Sequence, residues 1–226
     1  MLGAAPLRAQ PDLAPLARAD SAFVRGAYLP AYRQYRQVLR AQAAASGRML
    51  LRMAYVQEGL GHYPAALYYL SVLHARQPRL ATWRKMADLA RDHRLAGYPD
   101  SWRQDLQVAF RRYYYTGLQV LLLGAVLGGT GLWLRRHRTG RGWWVAYGGY
   151  LLLVGGYLNL LAPEQAALVA SPHAALMAGP SAGAAWLTTA AAGDRLLVQG
   201  RQDTWLRVHW QGQDAFIRQQ DVLLVR

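Results

Sequence analysis

The spacing of apolar and polar positions divides the chain into three stretches. Up to about residue 112, apolar side chains recur at helical spacing and are punctuated by Gly26, Gly61 and Pro78. Residues 113–134 and 143–163 carry no charged side chain at all. After Pro163 the pattern becomes one of short apolar runs separated by turn residues, the length and rhythm of strands.

The two charge-free stretches, YYYTGLQVLLLGAVLGGTGLWL (113–134) and WWVAYGGYLLLVGGYLNLL (143–161), are expected to be membrane-spanning helices. At a rise of about 1.5 Å per residue each reaches roughly the 30 Å of a hydrocarbon core. Tyr113–Tyr115, Trp133, Trp143 and Trp144 stand where interfacial aromatics belong. Gly117, Gly124 and Gly131 recur every seven residues, as do Gly148/Gly155 and Gly149/Gly156, and Gly124/Gly128 forms a small-xxx-small pair. Each span therefore offers one face on which backbones approach closely. The loop between them holds Arg135, Arg136, Arg138 and Arg141, which predicts a cytoplasmic loop and both termini outside. Exporting the front half calls for a signal sequence. Met1–Gln10 reads as the tail of one, with the true start expected upstream.

Compared with itself at an offset of 35, the front half aligns Gly26/Gly61, Tyr28/Tyr63, Ala31/Ala66, Tyr35/Leu70 and Val38/Leu73. Gly at a turn, an aromatic two residues on, a small residue at the helix crossing and a closing Pro78 resemble the tetratricopeptide repeat. In the second copy, helix A is expected over 48–60 and helix B over 64–75, followed by a capping helix over 81–96. The resemblance implies that the inner face of helix A, with Arg48, Leu51, Tyr55 and Glu58, lines a concave peptide groove; simple packing of Leu51 and Tyr55 is the alternative. A further amphipathic helix, capped by Asp100 or Ser101, is expected to run into the first span.

In the tail, seven apolar runs at 167–169, 175–177, 186–187, 196–198, 205–210, 215–217 and 222–225 predict a small barrel. The order Leu176-Met177-Ala178-Gly179-Pro180-Ser181, Gly193-Asp194-Arg195-Leu196-Leu197-Val198, Trp205-Leu206-Arg207-Val208, Gly212, Ala215-Phe216-Ile217 and Val222 is similar to the bacterial SH3-like domain. Ala215-Phe216 stands where Gly-Trp is usual. Trp205 is expected in the core and groove, and Trp186 and Trp210 either as exposed platforms or as packing.

The whole arrangement, carried by RMAYVQEGLGHYPAALYYL (52–70) and MAGPSAGA (177–184), resembles the membrane-anchored SH3/TPR proteins of bacterial aerotolerance (Bat-type) operons. The implied organisation is a signal remnant and lead-in (1–22), repeats with a cap (23–98), a juxtamembrane helix (99–112), two spans (113–134 and 143–162) around a loop (135–142), and an SH3-like barrel (163–226). The fold class expected is therefore multidomain, α-helical repeats plus a transmembrane hairpin plus a small all-β barrel.

Charge and composition narrow the function. The chain has 26 basic and 12 acidic residues, a formal charge of +14, with no cysteine, so thiol catalysis, disulfides and cysteine-ligated metals are excluded. The surplus lies in residues 1–112 and in the loop, while the tail is neutral. Six scattered histidines form no ligand pair, and no HExxH, GxSxG or phosphate-binding glycine loop occurs, so neither an enzyme nor a cofactor or metal protein is expected. The expectation is an inner-membrane adaptor with both termini periplasmic. It would bind other envelope or operon-encoded membrane proteins through the helices, a peptide or cell-wall ligand through the barrel, and no nucleic acid. The alternative is a membrane sensor of envelope or oxidative stress.

Overall fold

The computed structural model describes residues 14–41, 45–99, 102–136, 140–160 and 165–225. The expected signal-peptide tail (1–10) and the Asp100/Ser101 cap lie outside them. Helices come first and an antiparallel sheet last: α1 (Ala14–Val24), α2 (Tyr28–Ala41), α3 (Gly47–Gly59), α4 (Tyr63–Arg76), α5 (Leu80–Asp92), α6 (Trp102–Leu134) and α7 (Arg141–Leu160), then β1 (Gln165–Val169), β2 (Ala174–Met177), β3 (Trp186–Ala190), β4 (Arg195–Gln202), β5 (Trp205–Trp210), β6 (Gln213–Arg218) and β7 (Val222–Leu224). Residues 14–22, read from sequence as lead-in, instead form most of α1, because Ala19 and Ala22 are buried in the helical core.

Helices α1–α2 and α3–α4 form two successive hairpins closed in the same way. Gly26 and Gly61 adopt φ of +79° and +74°. In the first turn the Ala27 amide donates to the Ala22 carbonyl and the Gly26 amide to Phe23; in the second, His62 donates to Gln57 and Gly61 to Glu58. This paired closure satisfies the last carbonyls of a helix and needs a left-handed residue, which glycine supplies without a Cβ penalty. Ser46 caps α3 by accepting the Met49 amide at 3.2 Å. The core between the hairpins and α5 is built from Tyr35, Met49, Leu50, Met53, Leu67, Leu70, Trp83 and Met86, all essentially inaccessible.

The sheet order is β3-β2-β6-β5-β4-β1-β7, antiparallel throughout. Every strand sends side chains into one cluster, among them Val169, Leu176, Ala190, Leu196, Leu206, Val208, Ile217 and Val222, so the sheet wraps around a single core. Strand β1 is the exception to the one-wet-face rule. Ala167 and Val169 enter the sheet core, while Leu168 between them, with Ala166 and Val225, joins the helical core.

Helix α6 is one 33-residue helix, so the amphipathic lead and the apolar stretch are continuous. Among the described residues one segment, Tyr113–Leu134, is long and apolar enough to cross a membrane, judged by length and composition. The expectation of two crossings is met by that measure for α6 only. In α7, Trp143, Trp144, three tyrosines, repeated glycines and Asn159 dilute the aliphatic content. The glycine faces also meet differently from the expected backbone-to-backbone contact. Tyrosines of α7 fill the hollows of α6: Tyr157 lies against Gly117, Tyr150 against Gly124, and Tyr147 against Gly128 and Gly129. Each hydroxyl donates to an α6 carbonyl, Tyr157 to Tyr114 at 3.1 Å, Tyr150 to Leu121 at 2.6 Å and Tyr147 to Ala125 at 2.7 Å. A phenol in an apolar setting needs such an acceptor, and helix carbonyls keep a spare lone pair. Gly131 and the α7 glycines Gly148, Gly149, Gly155 and Gly156 face open space.

Candidate functional site

Helix α3 packs Met49, Leu50, Met53, Ala54 and Val56 inward, which leaves Arg48, Leu51 and Tyr55 exposed on its opposite face, with Glu58 half-buried at its end. The four predicted residues thus share one face, at helical spacing. Tyr55 is 57% exposed although it sits in an aromatic triad. Its ring meets Phe23 at 5.9 Å and Tyr28 at 5.7 Å, and Phe23 meets Tyr28 at 5.2 Å, all edge to face. Arg52 adds a guanidinium 4.9 Å from the Phe23 ring centre. A cleft of about 480 Å³ opens beside the triad, lined by Tyr28, Leu29, Tyr55, Val56, Leu60 and the Glu58–Lys85 pair, whose nitrogen and oxygen are 2.5 Å apart. Phe23, Tyr28 and Leu29 escaped the sequence reading, since they belong to other helices; the repeat offset aligned Tyr28 only as a turn residue.

In the sheet the three predicted tryptophans separate. Trp186, on edge strand β3, is 63% exposed. Trp210 is buried and packs into the sheet core, its Nε1 without a hydrogen-bond partner. Trp205 is also buried, capped by the Arg218 guanidinium 5.4 Å above its ring. A second cleft, of about 540 Å³, runs over this pair and is lined by Ala182, Thr204, Gln219 and Gln220. Its polar rim and single cation suit amide and carboxylate groups. On the neighbouring strands, Arg207 and Asp214 form an exposed ion pair that holds the Asp214 carboxyl below its ordinary range.

The helical body and the sheet are joined, and the joint falls on the Gly193-Asp194 turn before β4. The Asp194 carboxylate accepts the Ala96 amide at 2.7 Å and the Ala191 amide at 2.8 Å. The Arg195 amide donates to the Ala96 carbonyl at 3.0 Å, and the Tyr98 hydroxyl to the Gly193 carbonyl at 2.8 Å. Arg195 also lies 5.2 Å over Trp83, and Leu67 and Leu95 press on Gly193. Burial raises the Tyr98 phenol above its ordinary pKa. The segment gripped by the sheet, 95–98, leads within a few residues into α6. Among the described residues no three His, Asp or Glu side chains gather in a metal-holding group. No protein family, curated protein or solved structure matches this chain.

Proposed function

We propose that the chain is a non-enzymatic, membrane-anchored adaptor of the bacterial envelope. Its tetratricopeptide-like helices grip a protein partner, and its SH3-like domain takes a peptide or cell-wall ligand, without nucleic acid, metal or cofactor. The observation that carries the reading is the open aromatic face of α3. Three rings are held edge to face beside a cleft, yet Tyr55 and Tyr28 remain substantially exposed. Tyrosines already ordered in this way lose little entropy on binding, which is why such residues anchor protein interfaces. The resemblance to the aerotolerance-operon proteins supports the same role.

In this reading α6 and α7 cross the inner membrane together, with the loop cytoplasmic and both termini periplasmic. The outward faces of both helices support it: Val120, Leu123 and Val126 on α6, and Val145, Leu152 and Leu153 on α7, are exposed apolar residues with no protein cover. Four arginines at the loop set the orientation.

Two experiments test it. A photoreactive side chain at position 51, activated in native membranes and read by mass spectrometry, is expected to capture envelope proteins. That capture should fall in Tyr55→Ala; capture indifferent to Tyr55→Ala removes the α3 face from the proposal. Reporter fusions at Arg226 and within 135–142 test the topology, and a cytoplasmic Arg226 would end the periplasmic adaptor. The second reading, a stress sensor, draws on the joint: a ligand on the sheet would pull on residues 95–98 and hence on the start of α6. It predicts ligand-dependent change in α6, where an adaptor predicts none.

A further inference from the structure

We infer that the loop end of the α6–α7 pair binds one anionic phospholipid, with an acyl chain between the helices and the phosphate at Arg135. The inference rests on the reading that this pair lies in a bilayer. Tyrosine-to-carbonyl bonds tie α7 to α6 at Tyr157, Tyr150 and Tyr147, and a groove runs from beside the last two toward the loop end. This groove, about 1370 Å³, starts beside Tyr150 and Tyr147, passes Leu127 and Gly131, and ends at Trp143 and Arg135. A Cβ on Gly131 would meet nothing within 4 Å, so the groove there is open rather than filled by a neighbouring side chain. At membrane depth such a groove offers water no partners, and an apolar occupant is favoured.

Charge decides which occupant. No acidic residue occurs between Asp105 and Glu164, while Arg135, Arg136, Arg138 and Arg141 crowd the loop. Arg135 is 30 residues along one helix from Asp105, a distance of about 45 Å at helical rise. For Arg135 the hairpin spans and loop hold no carboxylate of their own. A second copy of this chain would fill the groove but bring four more arginines to the same depth. An anionic phospholipid supplies both the chain for the groove and a phosphate that a guanidinium binds through two parallel hydrogen bonds. Trp143 at the mouth sits where interfacial tryptophans contact headgroups.

The test uses the full chain in nanodiscs of equal phosphatidylcholine and phosphatidylglycerol, released and weighed by native mass spectrometry. Retained phosphatidylglycerol is expected in preference to phosphatidylcholine. Arg135→Gln should lower that preference about five-fold, the worth of one arginine near an anionic surface. Gly131→Leu, whose Cβ would meet nothing within 4 Å and whose side chain takes up groove space, should lower retention of either lipid. Arg33→Gln, on the exposed face of α2, should leave both unchanged. Undiminished retention in Arg135→Gln and Gly131→Leu overturns the site. So does a dimer that Gly131→Leu dissociates, since the groove would then be a contact between copies. A chain that enters nanodiscs but holds no phosphatidylglycerol ends this inference alone; a chain that stays dissolved without lipid ends the membrane reading with it.

Discussion

Asp194 and Ala96 stand 98 residues apart in sequence, on either side of the hairpin, and the Asp194 carboxylate accepts the Ala96 amide at 2.7 Å. Its second oxygen holds the Ala191 amide of the preceding turn, so a single side chain both shapes the turn and fastens it to the helical body. Asp194→Ala leaves two part-buried amides without acceptors, at a cost on the order of 2–3 kcal/mol. The expected outcome is a lower melting temperature of the detergent-solubilised protein and faster amide exchange at 95–98. An unchanged exchange rate there would show that the joint does not depend on this carboxylate.

The helix ends predict a graded series. Arg94 closes α5 with the same bond pattern that Gly26 and Gly61 use, Leu95 donating to Ala90 and Arg94 to Arg91, but does so at φ of +54°. Arg94→Gly removes left-handed strain from an exposed residue and should stabilise by about 1 kcal/mol. Gly26→Ala and Gly61→Ala should cost about 1–2 kcal/mol each, since strain is their main penalty. Gly97→Ala should be worse than either. Its Cβ would lie 1.9 Å from the Arg195 carbonyl oxygen, so the joint itself must open. Urea midpoints of the four variants test the order; Arg94→Gly below the parent would refute the strain argument.

The division into helices and then strands was legible in the sequence because periodicity reports which faces are dry. Leu206, Val208 and Trp210 alternate with Arg207 and His209, and the strand they predict is β5. Gly26 and Gly61 were legible as turns because their positive φ excludes most other residues. Tertiary partners were not. Leu168 reads as one more strand residue, and only its burial in the helical core shows that β1 is covered on both faces. The tyrosines of α7 carry no sign of their role in the sequence, yet Tyr147 and Tyr150 bond to mid-helix carbonyls of α6. Arg48, Leu51, Tyr55 and Glu58 were singled out through the repeat resemblance, and their spacing puts them on one face of α3. Their companions Phe23 and Tyr28 were not, because no local pattern brings α1 and α2 against Tyr55.

Within the hairpin, removal of a hydroxyl and addition of a methyl should converge. Tyr150→Phe deletes the bond to the Leu121 carbonyl, at a cost of about 1 kcal/mol. Gly124→Ala sets a Cβ 2.6 Å from the Tyr150 hydroxyl and displaces the same bond. In the double variant the losses should be less than additive, since both remove one interaction. Gly148→Ala, whose Cβ faces open space, is the control expected to melt with the parent. The chain has no cysteine, so a cysteine pair placed across α6 and α7 reports helix separation cleanly through its cross-linking rate. Additive losses would mean that Tyr150 and Gly124 act independently.

Alkaline pH should destabilise the helical body through its buried phenols. The Tyr35 hydroxyl is buried, donates to Asp20 at 2.6 Å and accepts from Arg52 at 3.0 Å, while Arg52 and Asp20 form an ion pair. Burial first, and the Asp20 carboxylate second, push the Tyr35 phenol up to about 12. Burial and the Tyr32 hydroxyl, 3.0 Å away, raise Tyr69 as well. Because the folded chain keeps phenolic protons that the unfolded chain releases from about pH 10, this stability is complete below pH 10 and is lost as pH rises toward 12. The urea midpoint should therefore be flat from pH 8 to about 9.5 and then decline, by an amount on the order of 2 kcal/mol for Tyr35. Tyr35→Phe should start lower at pH 8, having lost two hydrogen bonds, and decline less steeply above pH 10. A slope identical in parent and variant would place the alkaline transition in other groups and leave the Tyr35–Asp20–Arg52 cluster without a part in it.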